Sequence, residues 1–265
     1  MEEEQDFKSV RGLTRSEALY PRLPLINPET NLRQDGRHTS NIRPIFLQTG
    51  IRQGAKGSAY IELGTTKVIC IISGPKDLPK KVDFSTTGLL SVEVQLVGGK
   101  VPERDVTLIK ECLEATILLD KFPKLILEIY LTIMEDGGSA MSACITAAGM
   151  ALLEAGIPLF DTLVGSTLLY DGKDFYLDPT RQEIEVVDLT DQEKNDKGGG
   201  LITMGYLPSR EQICLFSMEG KMGPLVLDSA IDVLTQTNLQ VYSVVKKQAA
   251  HLLVQEEDDP AENTN

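Results

Sequence analysis

The sequence predicts a mixed α/β (α+β) chain whose strands cluster instead of alternating strictly with helices. Three observations carry this. Leu125, Leu127, Ile129, Leu131 and Ile133 are apolar at period two, and after a short glycine turn Met141, Ile145, Ala148 and Leu152 recur at helical spacing. Other period-two runs come in groups before and after this unit. A long helical pattern closes the chain. Clustered strands of this kind favour mixed or antiparallel sheets.

In chain order, residues 1 to about 30 are charged and then broken by Pro21, Pro24 and Pro28, which predicts an extended arm. Ser58–Leu63 alternates, Gly64-Thr65 turns, and Lys67–Ile72 is a nearly continuous apolar run, so a hairpin with one buried strand is expected. Pro75 and Pro79 mark a loop, and Val92, Val94 and Leu96 belong to another strand. A helix starts near Pro102 with Glu103 and Asp105 in its first turn, and Val106, Ile109, Leu113 and Ile117 form its core stripe. Lys121-Phe122-Pro123 stops it, and Gly156-Ile157-Pro158 ends the next helix. Strands follow around 163–169 and 175–177, with a turn at Asp171-Gly172, then a polar loop over 188–200. Strands at 201–206 and 212–218 precede a helix from Leu225 to about Val254, roughly 45 Å long. Residues 256–265 read as an acidic disordered tail. The folded part is therefore 31–255, with a first half of about 31–158 and a second of about 159–255.

The 265 residues carry a net charge of −13, which argues against nucleic-acid binding by bulk attraction; RNA contact would need local basic patches. Four scattered cysteines (Cys70, Cys112, Cys144, Cys214) have neither metal nor redox spacing and read as buried free thiols. Two histidines, His38 and His251, leave little room for imidazole-based catalysis. The acidic start Met1-Glu2-Glu3-Glu4 is unlike a signal peptide, and no apolar run reaches the roughly 18 residues that span a bilayer, so a soluble intracellular chain with no membrane contact is expected.

The turn Gly137-Gly138-Ser139 between core strand and core helix has two readings. It is a backbone anion cradle at a helix N-terminus, or a plain turn with Ser139 as N-cap. Surface Arg52, Lys56, Lys80 and Lys81 are candidates for RNA contact, and Asp35-Gly36-Arg37 either touches a ligand or orders the arm.

Four collinear motifs resemble one family. They are Arg33-x-Asp35-Gly36-Arg37; Ile42-Arg43-Pro44; Gly57-Ser58-Ala59-Tyr60-Ile61-Glu62-Leu63-Gly64-Thr65-Thr66-Lys67-Val68; and Glu135-Asp136-Gly137-Gly138-Ser139 before an alanine-rich helix. Over about 31–255 the chain resembles RNase PH and the ring subunits of the RNA exosome. The resemblance implies the RNase PH fold (ribosomal protein S5 domain 2-like), two β-rich halves with packed helices. It implies hetero-oligomeric pairing with other RNase PH-like subunits in a six-membered ring, S1/KH cap proteins and RNA in the channel as partners, and residence in nucleus, nucleolus and cytoplasm. Active members cleave RNA from its 3′ end with phosphate, which requires an anion cradle, an arginine clamp and carboxylates holding a divalent cation.

Set against that pattern, Gly137, Gly138 and Ser139 are a vestigial phosphate loop. Ala140 stands where arginine is typical, Glu111 and Glu114 where helix arginines face substrate, and Gly200 where a metal-binding aspartate is expected. Asp178 and Glu183 match upstream acidic positions of an incomplete set. The expectation is a subunit with no catalytic residues, no metal and no cofactor. The alternative is an active phosphate-dependent 3′-to-5′ exoribonuclease with a rearranged site, drawing on Asp188, Asp191 and Asp196.

Overall fold

The computed structural model describes residues 24–77, 87–187 and 198–258. Among the described residues, nine strands form two sheets. Strands β1 (Ile45–Thr49), β2 (Gly57–Leu63), β3 (Thr66–Asp77), β4 (Leu89–Leu96) and β5 (Leu125–Glu135) make the first, in the order β1-β2-β3-β5-β4. Strands β6 (Val164–Tyr170), β7 (Phe175–Leu177), β8 (Gly199–Leu207) and β9 (Gln212–Lys221) make the second, in the order β7-β6-β8-β9. The helices are α1 (Glu103–Thr116), α2 (Ala140–Glu154), α3 (Arg181–Val187) and α4 (Pro224–Asp258).

All pairings are antiparallel except β4 with β5. Parallel neighbours need a crossover, and α1 supplies it. The period-two pattern sets one face of the first sheet inward: Ala59, Ile61, Val68, Cys70, Ile72, Leu127, Ile129 and Leu131 are buried. The run Lys67–Ile72 was expected to be buried on both faces. Only its even positions are; Ile69 and Ile71 are half-buried on the outer face. The loop expected at Pro75 is strand instead, because the β3–β5 ladder shifts between Ser73 and Lys76 and frees Pro75 from donating to it.

Helix α2 departs most from expectation. Its apolar stripe predicts one buried face, yet Ser142 through Leu152 are all buried. The helix runs between the two sheets, and its small residues let both approach. A Cβ at Gly149 would fall 2.2 Å from the Leu163 carbonyl oxygen, and one at Gly57 would fall 2.4 Å from that of Ala151. One continuous core therefore joins the two halves, with α4 closing it through Ala230, Leu234, Val241 and Val245.

Three further differences concern segments. Residues 24–30, read as part of an extended arm, fold back: Asn27 N donates to Leu32 O at 2.8 Å, and Leu25 and Ile26 pack on Leu169, Tyr176 and Val187. Helix α4 continues through 256–258, into what the sequence suggests is tail. The short helix α3 has no counterpart in the sequence reading. Its signal is the capping box Thr180-x-x-Glu183: Thr180 N donates to Glu183 Oε2 at 2.8 Å, and Glu183 N donates to Thr180 Oγ1 at 3.4 Å. The polar loop with Asp188, Asp191 and Asp196 lies outside the described residues, as do Lys80, Lys81 and the rest of the N-terminal arm and acidic tail.

Candidate functional site

Strand β5 delivers the chain into Gly137-Gly138-Ser139 and helix α2 leaves it. The turn holds Gly138 at φ +104°, where a side chain is strained, and a Cβ there would lie 2.5 Å from Pro179 O and 2.6 Å from Arg181 N. What comes close to this glycine is the chain's own segment 179–181. Ser139 adopts φ 57°, ψ 29° and makes no capping hydrogen bond; its hydroxyl donates to Pro179 O at 3.0 Å. The N-cap expectation for Ser139 is thus replaced by a cross-link to the second half, because a left-handed backbone turns the hydroxyl away from the first helical N–H groups.

The polar groups of the turn are already engaged. Gly137 N donates to Thr66 Oγ1 at 3.2 Å, and Gly138 N donates to Asp136 Oδ1 at 3.0 Å. Thr66 Oγ1 donates to Gly138 O at 2.6 Å. Arg43 Nη2 donates to the same carbonyl at 2.9 Å, and Arg181 N donates to Gly137 O at 2.8 Å. Gly137 and Gly138 therefore spend their N–H groups inside the protein.

Asp178 and Glu183 are likewise bound by arginines. Arg43 meets Asp178 through Nε (2.7 Å) and Nη2 (2.6 Å), both side chains 6% exposed, while Arg43 N donates to Oδ2 at 2.9 Å. Arg33 forks onto Glu183, with Nε donating at 2.7 Å, and its Nη1 donates to Leu177 O at 2.6 Å. Arg37 reaches Asp178 at 3.7 Å and bonds Asp35 at 2.6 Å. Burial pushes the Asp35 carboxyl up, but the Arg37 hydrogen bonds outweigh it and hold the group below its usual range. The Arg33–Arg43 segment thus pins the start of the fold to the second half, which is the ordering role offered for Asp35-Gly36-Arg37.

Beside the turn lies a cleft of about 320 Å³. Gly138, Ser139 and Ala140 form one wall, Leu201 and Thr203 another. Among the described residues that line it, the charged groups are Asp105, Asp136, Glu185 and Glu219 with the guanidinium of Arg181. Arg181 is spoken for, at 2.5 Å from Asp136 and 3.4 Å from Glu185. Arg104 reaches in to Glu219 at 3.0 Å. Asp105 has a raised pKa, from burial first and then from the nearby Glu219 carboxylate. The field in this cleft attracts cations and opposes phosphate.

The predicted residues are only partly brought together. Gly138, Ser139 and Ala140 line the cleft. Gly200 does not face it: a Cβ there would meet Glu219 O at 2.6 Å and the Met222 methyl at 2.8 Å, while its neighbour Leu201 faces the cleft. Glu111 and Glu114 are exposed on α1, about 240° and 180° round the helix from cleft-facing Asp105. Asp105, read only as a helix-dipole partner, is thus the carboxylate α1 gives to the site. Arg52 and Lys56 are exposed on the β1–β2 loop. That loop packs at the C-terminal end of α2, where Glu154 accepts from Ser58 N at 2.6 Å. The cleft is at the other end, about 20 Å away by helix rise.

This architecture and its cleft define an RNase PH-like protein. The model of the 3′ exoribonuclease family, domain 1, matches residues 41–158. Over 197 residues the chain is 31% identical to an exosome complex component RRP41-like protein of Arabidopsis thaliana, covering 71% of this chain and 73% of the relative. It is 34% identical over 175 residues to exosome complex component MTR3 of Homo sapiens, covering 56% and 64%. Among solved structures, rice Rrp46 (Oryza sativa) superposes with a TM-score of 0.70 at 21% identity, over 82% of this chain and all of the other. An archaeal exosome core chain gives a TM-score of 0.68 over 82% of this chain and 92% of that one, which supports the same fold. The chain belongs to the RNase PH family, the family of these exosome complex components.

Proposed function

We propose that the chain is a non-catalytic subunit of an exosome core ring, similar to exosome complex component MTR3. Its work is architectural. It pairs with other RNase PH-like subunits, supports S1/KH cap proteins and lines a channel that passes RNA, in nucleus, nucleolus and cytoplasm. The observation that carries the reading is the cleft beside Gly138. Among the described residues, four carboxylates and a neutral Ala140 line it, its arginine, Arg181, is more than half exposed and paired with Asp136 and Glu185, and the N–H groups of Gly137 and Gly138 are used internally. A phosphate nucleophile entering there meets like charge and, among the described residues, no unpaired arginine. Ring pairing is supported by exposed apolar side chains, Phe46, Met134, Ile213, Phe216 and Leu225, and by β9 as a sheet edge.

The test is co-expression. Alone, the full chain should self-associate or precipitate; with a paired RNase PH-like subunit it should elute as one soluble complex. A stable monomer that ignores such subunits contradicts ring membership. A second reading, an active phosphate-dependent exoribonuclease, is favoured by the persistence of a 320 Å³ cleft containing Arg181 next to the turn. It predicts phosphate-dependent release of nucleoside diphosphates from RNA ends.

A further inference from the structure

The four cysteines read as unrelated buried thiols, yet the fold brings two of them together from positions 102 residues apart. Cys112 Sγ, on α1, lies 3.3 Å from Cys214 Sγ, on β9. Two local features produce the encounter. The β8–β9 ladder shifts there: Gly205 pairs with Leu215 and Tyr206 with Ile213, so Cys214 is the extra residue of a bulge. A bulge re-aims one side chain out of the regular alternation, and here it directs Cys214 at the helix. Gly205 makes the room. A Cβ on it would sit 3.1 Å from Cys112 Sγ and 3.2 Å from Cys214 Sγ, so the bare backbone provides the hollow both sulfurs occupy.

The two thiols are not equivalent. Cys112 is fully buried and Cys214 half-buried. The two sulfurs share a hydrogen bond that either thiol can donate, and this bond with Cys112, helped by the backbone N–H groups of Cys214 and Leu215, lowers the Cys214 pKa against the opposing effect of burial. The hydrogen bond to its partner, and then burial, push Cys112 up. Cys70 and Cys144 are fully buried, with burial raising both, Cys144 to about 12.

We infer that Cys112 and Cys214 are a redox-modification site, a dithiol that a hydroperoxide converts to a disulfide joining α1 to β9. The chemistry balances in two steps. The Cys214 thiolate attacks one peroxide oxygen, the O–O bond breaks, and the released hydroxide takes a proton, leaving a sulfenic acid and water. The Cys112 sulfur then attacks the Cys214 sulfur, an S–S bond forms, and the sulfenic hydroxyl leaves as water with the Cys112 proton. Overall, two thiols lose two electrons and two protons to the peroxide. The sulfurs need to close by only about 1.3 Å to reach bonding distance. The bond would fasten the first-half helix to the edge strand of the second sheet, where Arg104 already reaches Ser217 and Glu219.

The experiment treats the reduced full-length chain with a few equivalents of hydrogen peroxide and maps the products by mass spectrometry. The expected result is a loss of about 2 Da, a cross-linked peptide pair containing Cys112 and Cys214, and Cys70 and Cys144 still open to alkylation after unfolding. The oxidised chain should melt roughly 5–10 °C higher, reversibly with a reducing agent. In Cys112→Ser, with nothing to resolve it, a sulfenic acid at Cys214 should be captured by a 1,3-diketone probe; Cys214→Ser should give neither adduct nor cross-link. Four free thiols in the treated wild-type chain, a link involving Cys70 or Cys144, or equal diketone capture in both variants would overturn the assignment. The wild-type mapping stands even where a variant folds poorly.

Discussion

Arg43 and Asp178 hold each other in a site where neither can be solvated. Two hydrogen bonds from the guanidinium, plus one from Arg43 N, satisfy the carboxylate, and the remaining guanidinium contacts go to the Gly137 and Gly138 carbonyls and to Thr66 Oγ1. Removing one partner strands a buried charge, which costs about 3–5 kcal/mol. Denaturant unfolding of Arg43→Met and of Asp178→Asn should each show that loss, while the double variant Arg43→Met/Asp178→Asn should lose distinctly less than the sum. Additive losses would mean the residues act separately. Asp105 gives the opposite sign. Its folded pKa is raised, so its charge opposes folding at neutral pH, and the opposition fades as pH falls through that raised value toward the ordinary 3.8. Asp105→Asn should therefore raise the melting temperature slightly at pH 7 and match wild type near pH 3.5. A variant less stable than wild type at pH 7 would show that Asp105 makes a favourable contact instead.

At the level of elements, β5, the later part of β2 and the long closing helix were legible because burial on one face leaves a period of two or 3.6, whereas β6, buried on both faces from Val164 to Leu169, showed only as a short run without that period. Helix α2 was legible in place but not in role. Its alanines and Gly149 read as a weak stripe, whereas packing between two sheets buries every side from Ser142 to Leu152. The site was half legible. The glycine turn was visible as motif, but its occupation by Thr66, Asp136 and Arg43 depends on contacts more than 60 residues apart, apart from the Asp136 bond. Gly200 shows the same limit: in a strand, facing is decided by register, so the cleft receives Leu201 and not its neighbour. Helix α3 was missed although its capping box is local. Thr180→Ala removes the hydroxyl that accepts from Glu183 N, and a loss of about 1 kcal/mol in chemical denaturation is expected. No measurable loss would mean that the Arg33–Glu183 pair alone positions this helix.

For the whole molecule, the contrast is between a scaffold bound into one core and the acidic cleft beside it. The Arg33–Arg43 segment, α2 and the Gly137–Ser139 turn are bound into one core that joins both sheets. The cleft they position carries Asp105, Asp136, Glu185 and Glu219. A chain with a net charge of −13 gains long-range attraction for RNA only from local basic patches, which fits a subunit that organises a ring more than one that grips substrate. The most direct measurement incubates the purified full-length chain with 3′-tailed RNA, magnesium and inorganic phosphate and quantifies nucleoside diphosphates. We expect none above a protein-free control, and no shortening of the RNA. Phosphate-dependent release of nucleoside diphosphates, abolished by Arg181→Ala, would contradict the non-catalytic assignment.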